Sequence, residues 1–173
     1  MTRLLLALPA LLLAVQAAPA QRPKEQQPGW PDAFPKLDNY AVQYDAPVVK
    51  RDAKNPVYSQ TAHYVWTGGA SREFHVTLAR DAAFKTLYSE EEVKKGKPAP
   101  EKIEIGKHPA WLWKFELNRK DERPLDSKIV VLLGDDRVLV IEQRGLGPFE
   151  PVEKVAERFD LRKIKAALDQ PPK

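Results

Sequence analysis

The chain has 173 residues, with 28 Lys and Arg against 24 Asp and Glu, a formal net charge of +4 and no cysteine. Disulfide frameworks, thiol enzymes and thiolate metal sites are excluded at once. Hydrophobic residues make up 43% and charged residues 30%, a globular balance, and the two signs are interspersed, without the basic stripe that a nucleic-acid partner needs.

Met1-Thr2-Arg3 is followed by an apolar run over residues 4–15 and then by Ala18-Pro19-Ala20-Gln21. One positive charge, a short apolar core and an Ala-x-Ala site read as a secretory signal peptide over residues 1–20. The run falls short of the ~20 apolar residues that span a bilayer, and no Cys follows it to carry a lipid. The expectation is an exported protein, periplasmic or secreted, with no stable membrane insertion after cleavage. About 150 residues would remain, enough for one core that needs no staples.

Residues 21–38 carry Pro23, Pro28, Pro31 and Pro35, which rules out a helix or a ladder and leaves a linker or extended arm. Trp30 and Phe34 are placed to dock that arm on the domain. The domain itself reads as residues 39–169, with 170–173 a disordered tail. Period-two alternation from Tyr40 to Ala46 predicts a first strand, and residues 45–56 read as loop. Residues 57–67 and 72–80 then form a hairpin around Gly68-Gly69-Ala70-Ser71. A three-residue loop at 69–71 would set Trp66 opposite Phe74 and Tyr64 opposite Val76. It leaves His63, Val65, Glu73, His75 and Thr77 on the less apolar face.

From Asp81 the spacing turns helical, with Phe84, Leu87 and Tyr88 on one side; Ser89 with Glu92 makes a capping box, and Gly96 is placed to end that turn. Ile103 and Ile105 lead through Gly106-Lys107-His108-Pro109 into residues 110–117. Trp111, Trp113, Phe115 and Leu117 are expected on the face of the two isoleucines, as core rather than as a platform for a sugar.

The most apolar segment is residues 128–144, KIVVLLGDDRVLVIEQR. Two aliphatic runs flank Gly134-Asp135-Asp136-Arg137, a hairpin signature. A two-residue loop at Asp135-Asp136 would pair Leu133 with Val138 and Val131 with Val140. Both faces of this ribbon are apolar, so it should be covered on both sides. Beyond it, Pro148 and Pro151 precede Val152, Val155, Ala156 and Phe159 at helical spacing, and Asp160 can cap residues 161–168.

The sum is an α+β domain, an antiparallel sheet of about six to seven hairpin-connected strands covered by helices. The order of elements, with VVLLGDDRVLVIE and then FEPVEKVAERFDL, resembles the PsbP-like α-β-α sandwich of exported and lumenal proteins, over residues 57–168. The resemblance implies that fold and a binding or accessory role rather than catalysis. It supplies no ligand set for these positions.

His63, His75 and Glu73 are the candidate ligand-site residues. On the register above the two imidazoles are diagonal neighbours, with Cβ atoms ~7 Å apart, within reach of one metal. A third ligand would come from Glu73, His108 or an Asp elsewhere. A structural zinc wants four N or S ligands, and the chain offers three His and no Cys, so no metal or other cofactor is expected. Glu90, Glu91 and Glu92 are explained by a helix N-terminus, and Asp135 and Asp136 by their turn. Ser59, Ser71, Ser89 and Ser127 sit in no Gly-x-Ser-x-Gly elbow, so no catalytic residue is assigned. The reading is a monomeric, non-catalytic binding or accessory domain whose partner is a protein or cell-envelope component. One rival is a small metal-dependent or hydrolytic enzyme using His63 and His75. Another is a small-molecule or lipid carrier, which needs a cavity between sheet and helices.

Overall fold

Among the described residues the chain forms eight antiparallel strands: β1 Tyr40–Tyr44, β2 Val48–Lys50, β3 Val57–Trp66, β4 Arg72–Arg80, β5 Glu101–Ile105, β6 His108–Lys114, β7 Leu125–Leu132 and β8 Arg137–Gly145. The same residues form four short helices, α1 Phe84–Leu87 and α2 Glu90–Val93 between β4 and β5, and α3 Val152–Ala156 and α4 Leu161–Ala167 after β8. The computed structural model describes residues 29–30, 33–50, 56–69, 72–116, 124–145 and 150–172. The expected signal peptide, most of the Pro-rich segment and Leu117 lie outside the described residues.

The sheet runs β1-β3-β4-β8-β7-β6-β5, and β2 pairs β3 beyond the end of β1. This exceeds the expected strand count, and β2 comes from residues read as loop. Three residues are too few for a periodic signal.

The doubly apolar hairpin is central, as β8 lies in the middle of the sheet between β4 and β7. Its register differs from the expectation by one residue: Leu132 faces Val138, Val131 faces Leu139 and Ile129 faces Ile141. Leu133 donates its N–H to Arg137 O at 2.9 Å, so the turn is Gly134-Asp135-Asp136. Gly134 takes φ +146° to close it, a conformation open to glycine. A one-residue slip normally turns a strand inside out. Here both faces are aliphatic, and either register buries the same residues.

One face of the sheet holds the main core. Ala62, Tyr64, Phe74, Val76, Leu78, Ile129, Val131, Leu139 and Ile141 join Val152, Val155, Phe159, Ile164 and Leu168 from the helical segments. Trp30, Ala33, Phe34 and Leu37 enter the same cluster, so the described part of the Pro-rich arm is packed. Trp30 Nε1 donates to Gln170 O at 2.9 Å, Gly29 N to Gln60 Oε1 at 2.8 Å, and Tyr64 OH to Pro35 O at 2.8 Å. Gln170, expected in a disordered tail, is thereby tied to the arm. The other face carries a smaller cluster of Ala79, Val130 and Val138, against which Phe84, Tyr88, Trp113, Leu132 and Val140 pack.

Local chemistry sets the element ends. Ser89 Oγ accepts from Glu92 N at 3.4 Å, and Asp160 Oδ1 accepts from Arg162 N and Lys163 N at 3.1 Å each, the N-cap arrangement read from the sequence. Asp136 does more than turn the chain: its Oδ2 accepts from Arg80 Nε at 2.8 Å, while Arg137 pairs with Asp169 beyond α4. Gly106 and Lys107, at φ +52° and +71°, form a two-residue turn that sets Ile105 opposite His108 and Ile103 opposite Ala110. The isoleucines therefore share a face with Ala110 and Leu112. Trp111 and Trp113 lie on the opposite face, a correction to the expected pairing. Among the described residues no helix is long and apolar enough to cross a membrane.

Candidate functional site

The face opposite the main core is polar over half its width. Near α1 and α2 it is closed, since Trp111 is buried and donates Nε1 to Tyr88 O at 3.0 Å. Away from those helices a single row crosses the sheet. Gln43 on β1 faces His63 on β3, His63 faces His75 on β4, His75 faces Glu142 on β8, Glu142 faces Lys128 on β7, and Lys128 faces Trp113 on β6. Glu73 and Arg144 pair in the next row. On the other side Thr61 and Thr77 join their hydroxyls at 2.8 Å.

His63 and His75 are thus direct partners, not diagonal ones. The β3–β4 ladder ends at Val65 opposite Glu73, so the connection is longer than the expected three-residue loop and every pair moves by two. Two contacts account for it. Thr67 gives both its N–H and its hydroxyl to Asn39 O, each at 3.0 Å, which commits the end of β3 to β1. The Trp66 indole lies on Gly68, where a Cβ would come within 2.2 Å of Nε1. A shift of two preserves faces, so the three candidates remain on one surface.

The two imidazoles meet edge to face, with centroids 4.4 Å apart and planes at 68°. Each has its own carboxylate. His63 Nε2 lies 3.1 Å from Asp45 Oδ2, and His75 Nε2 lies 3.0 Å from Glu73 Oε1. Glu73 is buried and Asp45 exposed. Burial holds the His75 pKa below the ordinary histidine value, against the pull of Glu73 and with help from the neighbouring His63 and Arg144. Burial alone would raise Glu142. Arg144 at 2.7 Å and Lys128 at 3.5 Å outweigh it and hold Glu142 below the usual carboxylate range. The result is a surface of fixed, mutually paired charges on the two central strands.

Both Nε2 atoms are committed to carboxylates, and among the described residues no group of three or more His, Cys, Asp or Glu could hold a metal ion. His108 sits beside the β5–β6 turn, where it lines a groove of about 410 Å³ with Ile105, Phe159, Asp160 and Leu161. Neither that groove nor those of about 360 and 430 Å³ on other parts of the surface include His63 or His75. Sequence reasoning placed His63, His75 and Glu73 together but missed Gln43, Asp45, Lys128, Glu142 and Arg144. The one available signal was the change at Glu142-Gln143-Arg144, where a doubly aliphatic strand becomes polar.

Comparison of the chain with protein-family models, with curated proteins and with solved structures found no match.

Proposed function

We propose that the protein is an exported, non-catalytic binding or accessory domain that docks a partner protein or cell-envelope component on the open half of its sheet. The observation that carries this reading is the row Gln43, His63, His75, Glu142, Lys128 and Trp113. Side chains held by ion pairs on a rigid sheet lose little freedom when a partner arrives, so their contacts cost less to make. Their paired charges favour orientation and selectivity over raw affinity. The role agrees with the PsbP-like resemblance. On that reading α1–α2 and α3–α4 are the outer layers of an α-β-α arrangement, the first covering only half its face. Export rests on the signal-peptide pattern at residues 1–20, and the protein acts as a monomer without nucleic acid.

The test is differential capture from an envelope extract by immobilised protein. A His63→Ala/Gln43→Arg double variant should lose a partner that the unmodified protein and Lys165→Glu on α4 both retain. Equal capture by all three, with equal thermal midpoints, would sink the reading.

A further inference from the structure

Among the described residues the core face of the sheet is apolar except at Gln60 and at one corner, Ser127 and Gln143. The buried polar residues described are Gln60, Glu73, Ser127 and Gln143. Glu73 belongs to the open face, and Gln60 is satisfied by Gly29 N at 2.8 Å and Asp45 O at 3.1 Å. Ser127 and Gln143 stand opposite one another on β7 and β8, directly after an irregularity between Leu125 and Ser127 that leaves Asp126 as the extra residue. Such a bulge re-aims a side chain. Here Asp126 Oδ2 reaches 3.1 Å from Gln143 Nε2.

That contact orients the amide. A carboxylate only accepts, so the NH2 of Gln143 must face Asp126 and its Oε1 must point the other way. Gln143 is 2% exposed, and among the described residues its buried Oε1 has no hydrogen-bond partner. Buried carbonyl oxygens in native proteins are normally paired. Gln143, Asp126 and Ser127 line an open groove of about 360 Å³, together with Leu112, Phe115, Val152 and Glu153. Lys114, the cation on this lining, is drawn toward Glu101 on β5 at 4.0 Å.

We propose that this groove is a second binding site, for a small organic ammonium ion with a short apolar chain. The Asp126 carboxylate and the Ser127 hydroxyl accept N–H bonds from the ammonium. An outward turn of the Gln143 amide brings Oε1, which accepts from no described group, to a third N–H; Nε2 then gives up Asp126 Oδ2, and the ammonium takes its place on that carboxylate. Glu153 adds negative charge at the start of α3, and the apolar chain lies on Leu112, Phe115 and Val152. Among the described lining residues an anion would meet two carboxylates, with Lys114 the one cation. The site lies on the core side of the sheet, so it stands apart from the docking row.

The test is a 15N-resolved NMR titration of the purified exported protein with n-butylammonium chloride, against n-butanol, sodium butyrate and sodium chloride at matched ionic strength. Saturable shifts are expected at the Gln143 side-chain amide and at the backbone of Asp126, Ser127 and Val152. Asp126→Asn keeps an acceptor for Gln143 Nε2 but removes the charge, and it should weaken binding about tenfold or more, as loss of a charge-assisted bond does. Glu153→Gln, which alters no core contact, should weaken it to a smaller degree. Ammonium shifts that sodium chloride reproduces would overturn the proposal. So would equal binding of butanol, or an affinity unchanged in Asp126→Asn.

Discussion

The imidazole of His63 meets that of His75 edge to face, 4.4 Å between centroids, and each ring has its own carboxylate at Nε2, Asp45 or Glu73. Two adjacent strands, β3 and β4, therefore set both rings by backbone pairing, and Asp45 reaches His63 from the connection just after β1. The arrangement continues through Glu142 to Lys128 and Arg144, which fixes charge as well as shape across the open half-face.

His75 makes stability depend on pH. Burial lowers the folded pKa of His75, so the unfolded chain takes up a proton more readily than the folded one. Its contribution is fully present above the unfolded value near 6.5 and is lost as pH falls from there through the folded value. Urea unfolding between pH 5 and pH 8 should show stability rising with pH, and His75→Gln should flatten that slope. Glu142, also held low, acts with the same sign but in the carboxylate range below about pH 4.5. Parallel profiles for His75→Gln and the unmodified protein would contradict the assignment.

Val131 is fully buried at the centre of the sheet, between Ala110 on β6 and Leu139 on β8. Val131→Asp should cost several kcal/mol or force the new carboxyl to stay protonated, whereas Lys165→Ala on α4 should stay within about ±0.5 kcal/mol. Equal thermal midpoints would mean the central hairpin is not the core.

The Pro-rich arm should behave as part of the domain. Trp30 is 3% exposed and bonds Gln170 across the chain, so Trp30→Ala should destabilise by about 3–5 kcal/mol. A denaturation midpoint equal to that of the unmodified protein would make the arm a dispensable appendage.

Zinc should leave the thermal midpoint unchanged, with or without a chelator, since both Nε2 atoms are engaged by carboxylates and a zinc site wants further N or S ligands. A zinc-dependent rise that His63→Ala abolishes would instead support the metal-enzyme alternative.

Element positions were largely legible in the residues, and strand pairing was not. The β7–β8 slip is invisible because Val130, Val131, Leu132 and Leu139 are aliphatic in either register. The β3–β4 shift of two keeps every side chain on its face, and what decides it is Thr67 bonding to Asn39, a partner 28 residues away. Likewise His63, His75 and Glu73 share a face by simple alternation along β3 and β4. Glu142, Lys128 and Arg144 come from other strands and Asp45 from the connection after β1, so their place depends on a strand order that no local pattern encodes. Gln143 and Ser127 read as ordinary polar residues until the bulge at Asp126 sets them at the edge of an apolar face.

The most direct test of the docking claim is a footprint of the captured partner by NMR shift mapping or amide hydrogen exchange. The account predicts changes at Gln43, His63, His75, Lys128 and Arg144, with the backbone of α3 and α4 unaffected. A footprint confined to α3 and α4 or to the groove beside His108, with the His63–His75 row unchanged, would contradict it.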